Sequence, residues 1–168
     1  MLIILGGLPG SGKSTIAKLL AEKLAAVYLH IDTIEQAISA SSLDKNPKIG
    51  PEGYFVAYDV ARENLRLGLL VIIDSVNAIN LTRKAFRDVA VFANVPFLEV
   101  EIYCSNQNEH RSRVESRIAD NEGKKSPDWH QVISRNYEPW ETTPLRLDSF
   151  QLSALQCANE IISVIKAK

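Results

Sequence analysis

The sequence of 168 residues has few of the features that mark specialised protein classes. Its two cysteines, Cys104 and Cys157, are too few for a disulfide framework, and no paired Cys/His spacing indicates zinc. No apolar run approaches the roughly 18 residues of a membrane span. The N-terminal apolar run, residues 1–5, is too short for a signal peptide. These absences predict a reduced, cytoplasmic setting.

The chain also lacks an excess of charge of either sign. It has 19 basic and 20 acidic residues and a net charge of −1, which disfavours an extended nucleic-acid-binding surface but leaves room for a local basic patch. With 46% hydrophobic and 23% charged residues, the composition is that of an ordinary globular protein. The length predicts one domain over residues 1–168.

Short apolar runs of strand length alternate with longer helical patterns, which predicts an α/β fold of three layers around a mostly parallel five-stranded sheet. Predicted strands cover 2–5, 27–31, 69–73, 97–103 and 145–147. Predicted helices cover 14–24, 52–67, 81–93, 106–118 and 152–165, and one more begins at Ser126-Pro127. The polar stretch 39–51 is predicted to be a loop, and Asn80 is expected to cap the helix after it.

One motif decides the class of protein. Residues 7–14 read GLPGSGKS and fit the P-loop pattern G-x-x-x-x-G-K-[ST], with a strand before them and a helix after them. Glycines bring backbone N–H groups together at a helix N-terminus, where phosphate binds. Lys13 is expected to reach the β- and γ-phosphates of ATP, and the Ser14 hydroxyl to hold Mg²⁺. The residues predicted to bind the nucleotide here are Gly7, Gly10, Ser11, Gly12, Lys13, Ser14 and Thr15.

Phosphate binding alone leaves the reaction open. A GTPase would need a guanine-reading N-K-x-D segment, and the sequence has none. Motor and remodelling ATPases usually need more than one small domain. A short P-loop chain with a basic, lid-like segment is more typical of a kinase.

Asp32 follows the second predicted strand, and the carboxyl ends of parallel strands are where ligands bind. A carboxylate there can orient an acceptor hydroxyl and take its proton, which makes Asp32 the candidate base and an acceptor-binding residue. The alternative is that Asp32 caps the next helix, since the pattern Asp-x-x-Glu of Asp32 and Glu35 is close to a capping box. His30 is interpreted as a packed neighbour.

Asp74 ends the third predicted strand, where a carboxylate near Mg²⁺ is expected. The alternative is an aspartate that only makes a turn. Ser75 and Asn77 follow on the same rim and could bind substrate or phosphate. Arg83 is a further candidate for substrate binding, and its alternative is a place on a solvated helix face.

A basic segment follows the fourth predicted strand. Arg113 and Arg117 share a helix face, so one could stack on adenine while the other contacts the transferred phosphate. Residues 117–129 are predicted to form a small lid that closes on ATP; the alternative is a charged, solvated face. The sequence does not decide whether phosphate is contacted by Arg111, Lys124, Lys125 or Arg135. Core packing is the preferred interpretation for Trp129, Tyr137 and Trp140.

These segments together resemble the small P-loop kinases of the nucleoside-monophosphate-kinase-like group, over residues 1–149. Residues 6–14 and 30–34 resemble kinases allied to polynucleotide kinase, zeta-toxin-like proteins and antibiotic phosphotransferases. Residues 72–77, continuing to Arg83, are similar to their D-x-x-N…R segment, although polynucleotide kinases carry an aspartate nearer the asparagine, where this chain has Ser75. Residues 113–117 resemble the R-x-x-x-R of adenylate kinase lids. Adenylyl-sulfate kinases and gluconate kinases also look similar, but no substrate signature selects either.

The resemblance implies Mg²⁺-assisted transfer of the γ-phosphoryl group from ATP to a hydroxyl of a small acceptor. Lys13, Asp32 and Arg117 are then the catalytic residues, Arg113 and Arg117 bind ATP, and Ser14 and Asp74 hold the metal. Two alternatives stay open: a nucleic-acid 5′-hydroxyl kinase, and an ATP-binding regulatory module with little transfer activity. The sequence leaves the acceptor open and is compatible with a monomer or a homodimer without a membrane partner.

Overall fold

The computed structural model describes residues 1–43, 50–120, 127–142 and 144–167, with residues 118–120 described by their backbone alone. The strands are β1 (Leu2–Gly6), β2 (Val27–His30), β3 (Val71–Asp74), β4 (Phe97–Tyr103) and β5 (Leu145–Asp148). The helices are α1 (Lys13–Leu24), α2 (Ile31–Ser41), α3 (Glu52–Arg66), α4 (Asn80–Phe92), α5 (Gln107–Asp120), α6 (Trp129–Ile133) and α7 (Ala154–Lys166). Within the described ranges, no helix is both long and apolar enough to span a bilayer.

The five strands form one sheet in the order β2-β3-β1-β4-β5, and every pairing is parallel. The expected sheet is therefore confirmed and is parallel throughout rather than mostly parallel. β1 and β3 are buried along their whole length because helices cover both faces of the sheet, which is why their sequences are almost entirely apolar.

Alternate residues of β1 contribute to two separate cores, which gives the fold its three layers. Ile3 and Leu5 pack with residues of α1 and α7 on one face of the sheet. Leu2 and Ile4 pack with residues of α3 and α4 on the other face. Because all strands are parallel, the residues that follow β1, β2 and β3 come together at one edge of the sheet.

Several predicted boundaries differ from the structure. Residues 39–41, predicted as loop, belong to α2. Asn80 is the first residue of α4 instead of its cap, because its side chain accepts a hydrogen bond from Arg83. Asp128, not the Ser126-Pro127 pair, caps α6 through a reciprocal pair of hydrogen bonds with Gln131. Residues 44–49 of the predicted loop and 121–126 of the predicted lid, including Lys124 and Lys125, lie outside the described residues.

Candidate nucleotide and acceptor site

The P-loop connects the end of β1 to the first turn of α1. Gly7 has a φ of 145° and packs so closely on the carbonyl oxygen of Ile102 in β4 that a Cβ could not fit. Gly12 has a φ of 88° and is the N-cap of α1. Both conformations suit glycine rather than other residues. The loop therefore holds its backbone close to the start of α1, where N–H groups are available to phosphate.

Lys13 is a buried cation at the start of α1. Burial lowers the pKa of its amino group, while the charges of Asp74 and Asp32 raise it. Asp74, at the end of β3, is fully buried, and one of its carboxylate oxygens accepts a hydrogen bond from the Tyr28 hydroxyl at 2.7 Å. The ring of His30 lies between the two acids, with Nε2 3.7 Å from a carboxylate oxygen of each.

Helix α5 lies over the P-loop. The His110 ring is hydrogen-bonded through Nε2 to the carbonyl oxygen of Pro9 at 2.8 Å. Arg113 donates to Glu109 at 2.8 Å and to the Ser149 hydroxyl at 2.9 Å. These contacts enclose a pocket of about 490 Å³. Its lining comprises Gly10, Gly12, Lys13, Ser14, Thr15, Glu109, Ser112, Arg113, Ser116 and Arg117.

A second pocket, of about 720 Å³, opens on the other side of Lys13. It lies between α2, the residues after β3, and Arg135 beyond α6. Asp32 contributes a side chain that is 51% exposed. The two pockets meet, because Gly10, Lys13 and Arg117 line both. This junction is where a phosphoryl group could pass from a nucleotide to an acceptor.

The structure places many of the predicted site residues together. Arg113, Arg117 and most of the predicted P-loop residues line the nucleotide pocket, whereas Asp32 lines the second pocket. Gly7 and Ser11 support the loop from behind, and the Ser11 side chain is buried. The capping alternative for Asp32 is not observed, since α2 begins after His30 without a side-chain cap.

Asn77 is placed behind the site and lines neither pocket. It is fully buried, has a φ of 46°, and donates from Nδ2 to the carbonyl oxygen of Leu5 at 2.7 Å. This hydrogen bond joins the loop after β3 to the end of β1. The predicted substrate contact of Asn77 is thus replaced by a structural bond that fixes the base of the P-loop.

Arg83 also differs from its prediction. Its side chain is fully buried rather than solvated or facing a substrate. All five guanidinium N–H groups can be accounted for, since the side chain donates to the carbonyl oxygens of Asn77, Ala78, Glu138 and Pro139 and to the side chain of Asn80. The guanidinium lies 4.2 Å from the ring centre of Trp140. Arg83 thus ties residues 138–140 to the loop between β3 and α4.

Replacing Arg83 by methionine is expected to lower the free energy of unfolding by about 3 kcal/mol or more, because the five acceptors of its buried guanidinium would lose their donor. Urea unfolding would measure the change. Arg62→Met is a suitable control because Arg62 makes an exposed ion pair with Asp59 at 2.7 Å, and such pairs contribute about 1 kcal/mol or less. Equal losses for the two variants would contradict the structural role of Arg83.

Sequence reasoning missed several residues around the site. Ser149 reaches Arg113 from the turn after β5, and Glu35 and Tyr54 line the second pocket from α2 and α3. Sequence reasoning considered only residues at the ends of strands and so missed Tyr28, which lies inside β2. Its spacing of two residues from His30 was the available signal, because it places both rings on the same face of the strand. Trp129 packs on the His110 ring, and Tyr137 and Trp140 pack against Arg83 and each other. All three are partly buried and lie outside the two cores, so they pack as predicted but not as core residues.

The sequence profile of a family described as AAA domain matches residues 2–135 of this chain. The chain belongs to this AAA-domain family. Its P-loop, parallel sheet and helical layers give it the architecture of the small P-loop kinases, as the resemblance implied.

Solved structures show the same fold. A kinase candidate from Chloroflexus aurantiacus has a TM-score of 0.79 at 20% identity, with 99% of this chain and 96% of that chain covered. The Mycobacterium tuberculosis APS kinase CysC, solved with AMPPNP and APS, has a TM-score of 0.65 at 19% identity, with coverages of 98% and 96%. The mouse (Mus musculus) protein threonine synthase-like 1 is 22% identical over 98% of this chain. The chain spans 22% of the length of that relative.

Proposed function

We propose that the protein is a kinase that transfers the γ-phosphoryl group of ATP to a hydroxyl of a small-molecule acceptor. The observation that carries this proposal is the junction of the two pockets. Lys13 and Arg117 line both pockets, and Asp32 stands on the wall of the second one. One pocket provides a place for the nucleotide, the other a place for the acceptor, and two cations lie where the transferred group would pass between them.

The nucleotide side of the site matches the needs of a triphosphate. Backbone N–H groups of the P-loop face the phosphates, Lys13 neutralises the β- and γ-phosphates, and Arg113 flanks the pocket beside Gly12. Ser14 lines the pocket, and Asp74 has a buried carboxylate oxygen that accepts no hydrogen bond from the part of the chain that the structure describes. These two residues fit Mg²⁺, which when bound with ATP neutralises phosphate charge.

Asp32 is the candidate base on the acceptor side. Its carboxylate would accept the proton of the acceptor hydroxyl as the hydroxyl oxygen bonds to the γ-phosphorus. The bond from that phosphorus to the β–γ bridging oxygen breaks, and ADP leaves with the electron pair. Lys13 and Arg117 would stabilise the charge on the transferred group, so catalysis rests on positioning and electrostatics.

A transfer assay with γ-labelled ATP and Mg²⁺ tests the proposal. The acceptor panel comprises sugars and sugar acids, nucleosides and their monophosphates, adenylyl-sulfate, aminoglycosides and 5′-hydroxyl oligonucleotides. A labelled small-molecule product supports the proposal, and a labelled oligonucleotide would instead favour the nucleic-acid end kinase. ATP binding without any labelled product would favour the regulatory module.

Arg117→Ala is expected to slow transfer about a hundredfold while changing the affinity for ATP less than tenfold, since a charge placed at the junction acts mainly on the transition state. Single-turnover rates and ATP titrations would measure the two effects separately. Arg111→Ala is the matched control because Arg111 is exposed on the same helix and is paired with Glu115 at 2.7 Å. A larger loss of ATP affinity than of rate would make Arg117 a binding residue only.

A further inference from the structure

The wall of the second pocket is a polar face of one helix. Asp32, Glu35, Gln36 and Ser39 follow the i, i+3, i+4, i+7 spacing of a single helix face, and all four line the pocket. At about 1.5 Å per residue this face extends for about 10 Å. It presents two carboxylates, an amide and a hydroxyl along its length, which is a row of groups that accept hydrogen bonds.

Glu35 is the carboxylate of this face that the proposed transfer reaction does not use. Burial raises the pKa of its carboxyl, and the charge of Asp32 raises it further while Arg135 opposes both. The side chain is held where α2 meets α3, at Gly53. A Cβ added to Gly53 would lie 2.5 Å from Cγ of Glu35, so the absence of a side chain there makes room for the glutamate. Glu35 is thus packed into a defined position at the pocket.

The floor of the pocket adds further hydroxyl groups. Tyr54 lies next to Gly53 in α3, and its hydroxyl is 2.7 Å from the Ser75 hydroxyl. Burial raises the pKa of Tyr54 above its ordinary value. Both side chains line the pocket. A ligand that lies between α2 and this pair would meet hydrogen-bonding groups on two sides.

The rings that line the pocket pack within the protein. His30 stacks on Tyr28 with ring centres 6.0 Å apart. Tyr54 packs on Tyr58 and Phe86 with ring centres 6.2 Å apart in each case. Recognition of a flat base usually relies on a stacking surface. This pocket instead offers many polar groups, which suit a ligand rich in hydroxyls.

We propose that the acceptor is a non-aromatic molecule of sugar size with several neighbouring hydroxyls, and that Glu35 selects it. In this arrangement Asp32 receives the proton of the reacting hydroxyl, and Glu35, one helical turn further along, accepts hydrogen bonds from adjacent hydroxyls. Glu35 therefore determines specificity and does not take part in the proton transfer. The inference rests on the proposed kinase function and adds the chemical class of its acceptor.

The test compares acceptors and variants in the γ-labelled ATP assay. Glucose, gluconate and myo-inositol represent the proposed class, and thymidine and adenosine represent acceptors with a flat base. The best polyhydroxylated acceptor is then compared with its deoxy analogues. The variants are Glu35→Gln, Gly53→Ala, and Glu22→Gln as the control, because Glu22 is exposed on α1 and lines neither pocket.

Glu35→Gln is expected to raise the KM for the polyhydroxylated acceptor about tenfold or more, as the loss of a hydrogen bond to a charged group would. The KM for ATP should stay within twofold of wild type. Gly53→Ala should raise the same acceptor KM, because its Cβ displaces Glu35 without removing the carboxylate. Removal of the neighbouring hydroxyl from the acceptor should raise the acceptor KM of the wild type about as much as Glu35→Gln does. The same removal should raise the acceptor KM of the Glu35→Gln variant little further.

The outcomes separate this inference from the proposed function. Transfer to flat-based acceptors alone would overturn the inference and keep the kinase assignment. The same holds if Glu35→Gln and Gly53→Ala both leave the acceptor KM within twofold of the Glu22→Gln control. The absence of transfer to these acceptors and to every other member of the wider acceptor panel would overturn the kinase assignment and this inference with it.

Discussion

Lys13→Ala is expected to abolish the thermal stabilisation that ATP confers and to reduce phosphoryl transfer at least about a hundredfold. Lys13 stands at the start of α1 and lines both pockets, so its removal takes a cation from the phosphate site and from the transfer path together. Its amino group is buried, where a charge interacts more strongly than in water. No other lysine in the described ranges lines the nucleotide pocket.

The variant should also be less stable without ligand. Asp74 is fully buried, and its charge raises the pKa of Lys13, so removal of the Lys13 cation leaves the buried carboxylate with less compensating positive charge. A lower melting temperature alone is therefore no measure of ATP binding. The decisive quantity is the difference in melting temperature with and without ATP.

ATP at a hundred times its dissociation constant stabilises a binding protein by about 2.7 kcal/mol, which a thermal unfolding experiment resolves readily. Lys23→Ala is the matched control, because Lys23 is an exposed lysine in the last turn of the same helix. The Lys23→Ala control should keep the full ATP-dependent increase in melting temperature. If Lys13→Ala kept it as well, residues 7–14 would not be the nucleotide site.

The sequence alone predicts much of the fold because the central strands are buried on both faces. The predicted strand 97–103 coincides with β4, and helix 52–67 differs from α3 by a single residue. Apolar residues alternate with Glu99 and Glu101 in β4, and buried residues recur at helical spacing in α3. Unbroken apolar runs mark β1 and β3, since burial on two sides leaves little room for polar residues. The P-loop is equally easy to recognise from the sequence, because its glycines, lysine and serine lie within eight consecutive residues and each has a local role.

Residues whose roles depend on distant partners could not be assigned in this way. Arg83 looks like a candidate for substrate binding in sequence, but its partners include the carbonyl oxygens of Glu138 and Pro139, which lie 55 and 56 positions further along the chain. Glu35 forms an Asp-x-x-Glu pattern with Asp32 that is close to a capping box, whereas its position in the structure depends on Gly53 in another helix. Ser149 meets Arg113 across 36 residues. None of these contacts leaves a local pattern that sequence reasoning can detect.

Asp32→Asn is expected to lower kcat for transfer by about 10²–10⁴-fold, the usual contribution of a general base. The substitution keeps the size of the side chain but removes the carboxylate that would take the acceptor proton. ATP binding should persist, because Asp32 lines the second pocket and not the nucleotide pocket. Product formation and ATP-dependent stabilisation, measured on the same variant, separate these two effects.

Asp59→Asn provides the control, since Asp59 is exposed on α3 and is paired with Arg62. The comparison also decides between a kinase and a regulatory module. If the protein is a kinase, Asp32→Asn forms much less labelled product but keeps the increase in melting temperature that ATP confers. A protein that only binds ATP gives no labelled product with either variant. Unchanged product formation would assign the proton transfer elsewhere: His30, with Nε2 3.7 Å from Asp32, would then be the next residue to replace.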